Sequence, residues 1–381
     1  MSSTDSPVNS SSLPSRYTAL AALTLVGVML TGVWQIMGAV TQPDGLEFPR
    51  TWLDFREGRT TGTLEKQLDH KLPARASLIA VANSVRYLLV GGAGEQVRLG
   101  QNGWLFLTDE LRFESDGPAH LQIRADLLAT AAGALKQQGI QLVVVLVPDK
   151  ARVYAKQLTS RQYPTYNQSR YQDALDALNV RHVAVVDLLN PLTQARADGD
   201  VYYHSDTHWN QRGARVAANA VATALQQRGV ELEPTTFASS TDTSAATERP
   251  GDLIHLMGLD HMPNTLRPAP DHEIPLVTRQ TSADSAAGGL FGDVSVPVAL
   301  TGTSYSLRGN FHGFLQEALS AKVLNAAKDG GGFLQATTAY LKDESFQSAK
   351  PKVLVWEVPE RFLLTKLEGE EKWLEQVGLR R

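Results

Sequence analysis

The chain has 381 residues, a net charge of −4 and no cysteine. Its length suffices for one large domain or two ordinary ones, and its mild acidity gives no support to nucleic-acid binding. The lack of cysteine excludes a disulfide framework, a thiolate metal site and a cysteine nucleophile, and it fits an oxidising compartment.

Residues 1–16 form a short polar tail, Ser-rich through residue 15 and without an apolar period. From Arg16 onward "RYTALAALTLVGVMLTGVWQIMGAV" carries no further charge. Residues 17–40 are long enough to cross about 30 Å of hydrocarbon as one helix. No A-x-A cleavage site follows, so the segment reads as an uncleaved anchor in place of a removed signal peptide. Arg16 is the only basic residue before it, which places 1–16 in the cytoplasm and 41–381 outside. Residues 41–120 read as a preamble, with helices in "TLEKQLDHKLPARASLIAVANSVRYLL" and a hairpin in "VRLGQNGWLFLTD".

Residues 121–381 read as the catalytic domain. Four apolar, β-branched runs read as strands buried on both faces: "IQLVVVLVP" (140–148), "HVAVVDLL" (182–189), "VSVPVALTG" (294–302) and "KVLVWEVP" (352–359). Helical patterns occupy 124–139, 169–179, 210–229, 311–331 and 333–350, with Asn210 as an N-cap. Residues 235–250 and 279–289 read as loops. Strand and helix alternate, which predicts an α/β domain with a doubly wound parallel sheet and helices on both faces. Ligands of such sheets bind beyond the carboxyl ends of the strands. Asp149, Lys150, Arg152, Asp187, the turn from Gly302 to Ser306, Glu360 and Arg361 are placed there.

Two stretches carry chemistry. "VPVALTGTSYS" runs from a strand through Gly302 to Ser304 and on towards a helix, the layout of a nucleophile on a strand-to-helix turn, although Ser306 replaces the second glycine of the usual elbow. "YYHSDTHWN" supplies a base. A serine hydroxyl needs a base to take its proton, and an imidazole does this best when a carboxylate orients it. If Asp206 and His208 lie in extended chain, their side chains share one side. Asp206 then orients, His208 is the base and Ser304 attacks. The competing reading joins His204, Asp206 and His208 as three metal ligands. The other histidines lack tight ligand spacing, so no metal is expected and His204 is read as a solvent-facing loop residue.

The ordered set "LPAR" (72–75), "GQNGWLF" (100–106), "VPDKARVY" (147–154), "SDTHWN" (205–210), "GDL" (251–253), "LTGTSYS" (300–306) and "WEVPER" (356–361) resembles the alginate O-acetyltransferases of the AlgJ/AlgX type, SGNH-hydrolase-like proteins of the bacterial periplasm. The resemblance runs over nearly all of residues 60–365. The anchor and the absence of a long C-terminal extension are more like the AlgJ branch. The resemblance implies an SGNH-hydrolase-like fold and acetyl transfer to an exopolysaccharide, alginate being the best-known case, through an acetyl-serine. It implies no cofactor. It also implies a membrane-bound O-acyltransferase that supplies acetyl groups and further acetylation-complex proteins, at the bacterial inner membrane. Two departures from the classical SGNH hydrolases stand out: the Asp/His pair precedes the serine, and Thr303 stands before it where those enzymes have Asp. Chain order does not decide a triad.

The tetrahedral intermediate needs hydrogen-bond donors, for which the Ser304 N–H and Asn310 are candidates, Asn310 having helix capping as its plain alternative. Lys150, Arg152, Tyr154, Trp209, Tyr305 and Arg361 are candidates for polymer contact, since cations at the carboxyl edge suit polymer carboxylates and rings stack on sugars. Ordinary ion pairs and core packing are their alternatives. Two further functions use the same residues: a carbohydrate acetylesterase with water as acceptor, and a non-catalytic polysaccharide-binding component of an export complex.

Overall fold

The computed structural model of the chain describes residues 29, 30, 32–34, 37, 75–158, 163–245, 247–281 and 296–379. The expected tail 1–16 and most of the expected span 17–40 lie outside them. The described residues of that span are helical, and no helix among the described residues is long and apolar enough to cross a membrane. The chain divides into two compact units, Met1–Ala82 and Asn83–Arg381. The following concerns the second.

Helix α1 (Arg75–Val90), of which residues 83–90 belong to this unit, leads into an antiparallel hairpin of β1 (Val97–Leu99) and β2 (Leu105–Leu107). Its turn holds Asn102 and Gly103 at φ of 52° and 81°, a conformation both residue types tolerate. Next come α2 (Gly117–Gln137), β3 (Gln141–Val147), the single turn α3 (Lys150–Val153), α4 (Arg170–Val180), β4 (Val185–Asp187), α5 (Leu189–Ala195) and α6 (Gln211–Gln227). An insertion follows with β5 (Phe237–Thr241), β6 (Glu248–Arg249), α7 (Asp252–Leu256), β7 (Asp271–His272) and β8 (Leu276–Gln280). The chain then returns through β9 (Val298–Thr301), a 3-10 turn (Ser304–Leu307), α8 (Phe311–Leu319), β10 (Val323–Asn325), α9 (Gln335–Lys342) and α10 (Glu344–Ser348). It ends with β11 (Val353–Pro359), a 3-10 turn (Glu360–Leu363) and α11 (Glu370–Gln376).

Among the described residues five strands make one parallel sheet in the order β10-β9-β11-β3-β4. Strand side chains alternate between faces, so each strand feeds two cores. Val143, Val145 and Val147 of β3 join Val353 and Val355 of β11 against α6 and α8. Leu142, Val144 and Leu146 join Leu354, Trp356 and Val358 against α2, α4 and α11. Each such buried side chain contributes about 1.5–3 kcal/mol. The resulting helix–sheet–helix sandwich is the α/β arrangement expected. Arg124 of α2 is buried against Glu370 of α11, Nε to Oε1 at 2.8 Å, and also donates to the carbonyls of Thr365 and Lys366.

Four elements depart from the sequence reading. The strand expected over 182–189 as buried on both faces is the short edge strand β4, with Val185 and Asp187 half-buried. The helix expected over 311–331 stops at Leu319, because Ser320 turns left-handed at φ 48°, and the chain re-emerges as the edge strand β10. The helix expected over 333–350 is two, broken at Asp343, whose carboxylate accepts the Ser345 N–H at 2.8 Å and caps α10. The loop expected over 235–250 contains β5 and β6, which pair with β8 and β7. "FASST" is too polar to flag as a strand without its partner.

Candidate active site

Residues 203–208 form a tight loop, closed by a bridge between Tyr202 and Trp209 and by the Tyr203 N–H on the His208 carbonyl at 3.2 Å. Its outward amides meet carboxylates of the insertion. Asp271 accepts from the N–H of His204 and of Ser205, both at 2.8 Å, and Asp252 accepts from the Thr207 N–H at 2.7 Å. Gly251 lies so close to the loop that a Cβ there would stand 2.0 Å from the Ser205 carbonyl oxygen. The loop's inward carbonyls, those of His204 and Asp206, accept from Lys150 Nζ at 2.9 and 2.8 Å. Leu105 of the hairpin also donates to the His204 carbonyl at 2.9 Å.

Asp206 and His208 are brought together by a turn, not by the extended chain expected. The Asp206 carboxylate accepts the backbone N–H two residues on, at 2.9 Å, the local bond that short acidic side chains favour. The same oxygen lies 2.6 Å from His208 Nδ1. His208 Nε2 lies 2.7 Å from Ser304 Oγ, across 96 residues of chain. Burial alone would raise the Asp206 carboxyl. Hydrogen bonds and charge from His208, with the Asp252 N–H, overcome it and hold Asp206 well below the usual carboxylate range. Asp252 shifts the opposite way, raised by burial and by the adjacent Asp206 charge. An ionised Asp206 is the partner an imidazolium needs.

Ser304 opens the 3-10 turn just beyond β9. The turn rests on Glu357 of β11, a carboxylate that is 1% exposed. Glu357 accepts from the Thr303 N–H at 2.7 Å, from Thr303 Oγ1 at 3.0 Å and from Ser306 Oγ at 3.0 Å. Burial raises its carboxyl, and the bonds from Thr303 and Ser306 restrain the rise. Gly302 has φ 152°, and a Cβ there would lie 2.5 Å from Glu357 Oε2. Among the described residues no hydrogen bond uses the Ser304 N–H. Tyr305 ties the halves together: its hydroxyl donates to the Thr207 carbonyl at 2.9 Å and its ring stands edge-on to His208.

The structure corrects the candidates for polymer contact. Lys150 is completely buried, clamping the loop carbonyls beneath the rings of Trp104 and Phe106. Burial pushes its ammonium down to about 8, with Glu110 foremost among the carboxylates that hold it up. Arg152 forks onto Glu360, Nε to Oε2 at 2.8 Å. Tyr154 is buried, donating to Asp200 and accepting from the Val201 N–H. Trp209 is buried against Tyr305 and Phe311, and Tyr305 is buried as well. Arg361 faces Asp149 at 3.4 Å and Glu110 at 3.8 Å. Arg152 and Arg361 are thus engaged by the buried acids Glu360, Asp149 and Glu110. Asn310, the expected second oxyanion donor, stands at φ 58° with its amide on Thr278 Oγ1 at 2.9 Å and caps nothing.

His204 departs from the three-ligand set: its Nε2 lies 2.9 Å from Asp200 Oδ2 and its ring lies on Trp104. Among the described residues the group close enough to share an ion is Asp206, His208 and Asp252, within 4.8 Å. Both nitrogens of His208 are already committed, one to Asp206 and one to Ser304. Sequence reading left Glu357, Asp252 and Asp271 without a part in the site. Only Glu357 gave a sign of it, as an acid inside a strand buried on both faces, which demands a buried partner.

A family model described as "SGNH hydrolase-like domain, acetyltransferase AlgX" matches residues 97–360. The chain is 33% identical over 365 residues to the probable alginate O-acetylase AlgJ of Pseudomonas putida, covering 93% of each chain. It is 32% identical over 344 residues to the corresponding protein of Azotobacter vinelandii, covering 89% of this chain and 87% of that one. The O-acetyltransferase domain of Pseudomonas putida AlgJ superposes with a TM-score of 0.65 at 34% identity, over 74% of this chain and 98% of that domain.

Proposed function

The chain belongs to the family of SGNH hydrolase-like acetyltransferases that includes AlgX and AlgJ, and from that premise we propose that it O-acetylates an exopolysaccharide, alginate, through an acetyl-serine on Ser304. The observation that carries the reading is the unbroken line from Asp206 Oδ1 to His208 Nδ1 at 2.6 Å and from His208 Nε2 to Ser304 Oγ at 2.7 Å.

His208 Nε2 takes the Ser304 proton as Oγ attacks the carbonyl carbon of the acetyl donor. The tetrahedral oxyanion meets the Ser304 N–H. The oxyanion collapses, the leaving group departs with the proton from His208, and Ser304 carries the acetyl group. A sugar hydroxyl then gives its proton to His208 and attacks the acetyl carbon. Collapse of the second oxyanion returns the proton to Ser304 and releases the acetylated sugar. Asp206 remains ionised throughout and holds the imidazolium in one tautomer. In this reading residues 17–40 anchor the enzyme in the bacterial inner membrane, the rest works in the periplasm, and a membrane-bound O-acyltransferase within an acetylation complex delivers the acetyl groups.

The test is incubation of the purified full chain with an activated acetyl ester and alginate oligosaccharide, followed by mass spectrometry of the sugar. Acetylated sugar is expected, and none from Ser304→Ala. Acetylated sugar from Ser304→Ala at the wild-type level would overturn the serine mechanism. Ester consumption without any acetylated sugar would make the enzyme an esterase.

A further inference from the structure

Three polar atoms around the nucleophile point inward at once: the Thr303 N–H, the Thr303 hydroxyl and the Ser306 hydroxyl. They flank Ser304 on both sides and converge on one carboxylate from the neighbouring strand. Among the described residues no lysine or arginine bonds to Glu357, unlike the buried acids Asp149, Glu360 and Glu370, which each meet an arginine. A strand buried on both faces tolerates a charged residue only where its lone pairs are filled. Here they are filled by the turn that carries Ser304, and at Gly302 a Cβ would lie 2.5 Å from the carboxylate oxygen, so only glycine lets the turn approach it this closely. With Thr303 and Ser306 both drawn down to β11, the Ser304 hydroxyl is left for His208 and its N–H for a ligand.

We propose that Glu357 is a positioning residue for acetyl transfer: its buried carboxylate sets the Gly302–Ser306 turn so that Ser304 Oγ meets His208 Nε2 while the Ser304 N–H faces the reacting carbonyl. The proposal rests on Ser304 being the nucleophile. It assigns no contact with substrate to Glu357. The cost of losing it therefore falls on the rate of Ser304 acetylation and not on binding, since a displaced nucleophile of order 1 Å can cost about a hundredfold.

The experiment measures the burst of leaving group from an activated aryl acetate as the full-length enzyme forms acetyl-serine. Wild type is compared with Glu357→Gln, Ser306→Ala and Ser304→Ala, each with its thermal unfolding curve. For Glu357→Gln the burst rate constant is expected to fall about 10- to 100-fold while the half-saturating ester concentration holds within about twofold. Ser306→Ala, which removes a single hydroxyl bond, is expected to lose severalfold and decides the matter should Glu357→Gln fail to fold. A wild-type burst rate per folded molecule in these variants would overturn the proposal, even if their unfolding temperatures fall, because Glu357 would then be structural only. A burst surviving in Ser304→Ala would instead remove the acetyl-serine reading itself, an outcome distinguishable from the first.

Discussion

The two halves of the candidate site are held by buried charges of opposite sign. The loop with Asp206 and His208 turns carbonyls inward, and a cation, Lys150, receives them. The turn with Ser304 turns an N–H and two hydroxyls inward, and an anion, Glu357, receives those. Lys150 follows β3 and Glu357 lies near the end of β11, and these strands are neighbours in the sheet. The sign of each charge follows from which backbone groups face the core, since a buried polar group without a partner costs about 1–3 kcal/mol. The halves also differ in redundancy. The loop has Asp252 and Asp271 on its outer side as well as Lys150, whereas the inward groups of the turn described above share one carboxylate.

That comparison can be broken at several points. The largest effect belongs to Asp206→Asn, expected to lower the acetyl-transfer rate about 10⁴-fold with little loss of fold, because the amide cannot hold the imidazolium tautomer. A loss below tenfold in the same burst assay would mean that Asp252, 3.6 Å from His208 Nδ1, does the orienting. Next is Lys150→Met, which leaves the Asp206 carbonyl unpaired and the His204 carbonyl with the Leu105 N–H alone, and is expected to destabilise the protein by about 1–3 kcal/mol in denaturant titration. Unchanged stability would show that the loop stands without its cation.

A pH effect tests the ground beneath Lys150. Burial first, and the Asp149 charge second, push the Glu110 carboxyl up to about 8. A raised carboxyl keeps its proton in the folded state where the unfolded chain has lost it. Stability should therefore decline as pH climbs from about 4.5 towards about 8. Glu110→Gln should flatten that decline, as read by unfolding temperature against pH; an unaltered slope would assign it to other groups. The smallest effect is that of Asp252→Asn, expected to cost a fewfold in rate, since the amide oxygen still accepts the Thr207 N–H. A loss as deep as that of Asp206→Asn would make Asp252 an equal member of the site.

What was legible in the sequence was whatever depends on neighbours in the chain. The strands at the centre of the sheet announce themselves by apolar runs, while "HVAVVDLL" promises a strand buried on both faces and yields the short edge strand β4; "DTHW" holds its carboxylate and imidazole within one turn. Ser304 was legible because a strand running into Gly and Ser marks a sharp turn. Lys150 could be noticed but not interpreted, because its partners are backbone carbonyls more than fifty residues away, to which residue identity gives no clue. β10 was hidden for a related reason: the left-handed Ser320 that separates it from α8 is unremarkable as a letter. The arginines at the carboxyl edge pointed towards the right end of the sheet and the wrong task.

The buried pair of Arg124 and Glu370 bears on how the enzyme can be cut. The family match closes at residue 360, a natural place to end an expression fragment. Such a fragment would keep Asp206, His208 and Ser304 yet strand Arg124 in the core without its carboxylate, at a cost of about 3–5 kcal/mol. It would also remove Trp373 from beside Trp356. A soluble fragment fit for crystallisation or assay should therefore run past α11.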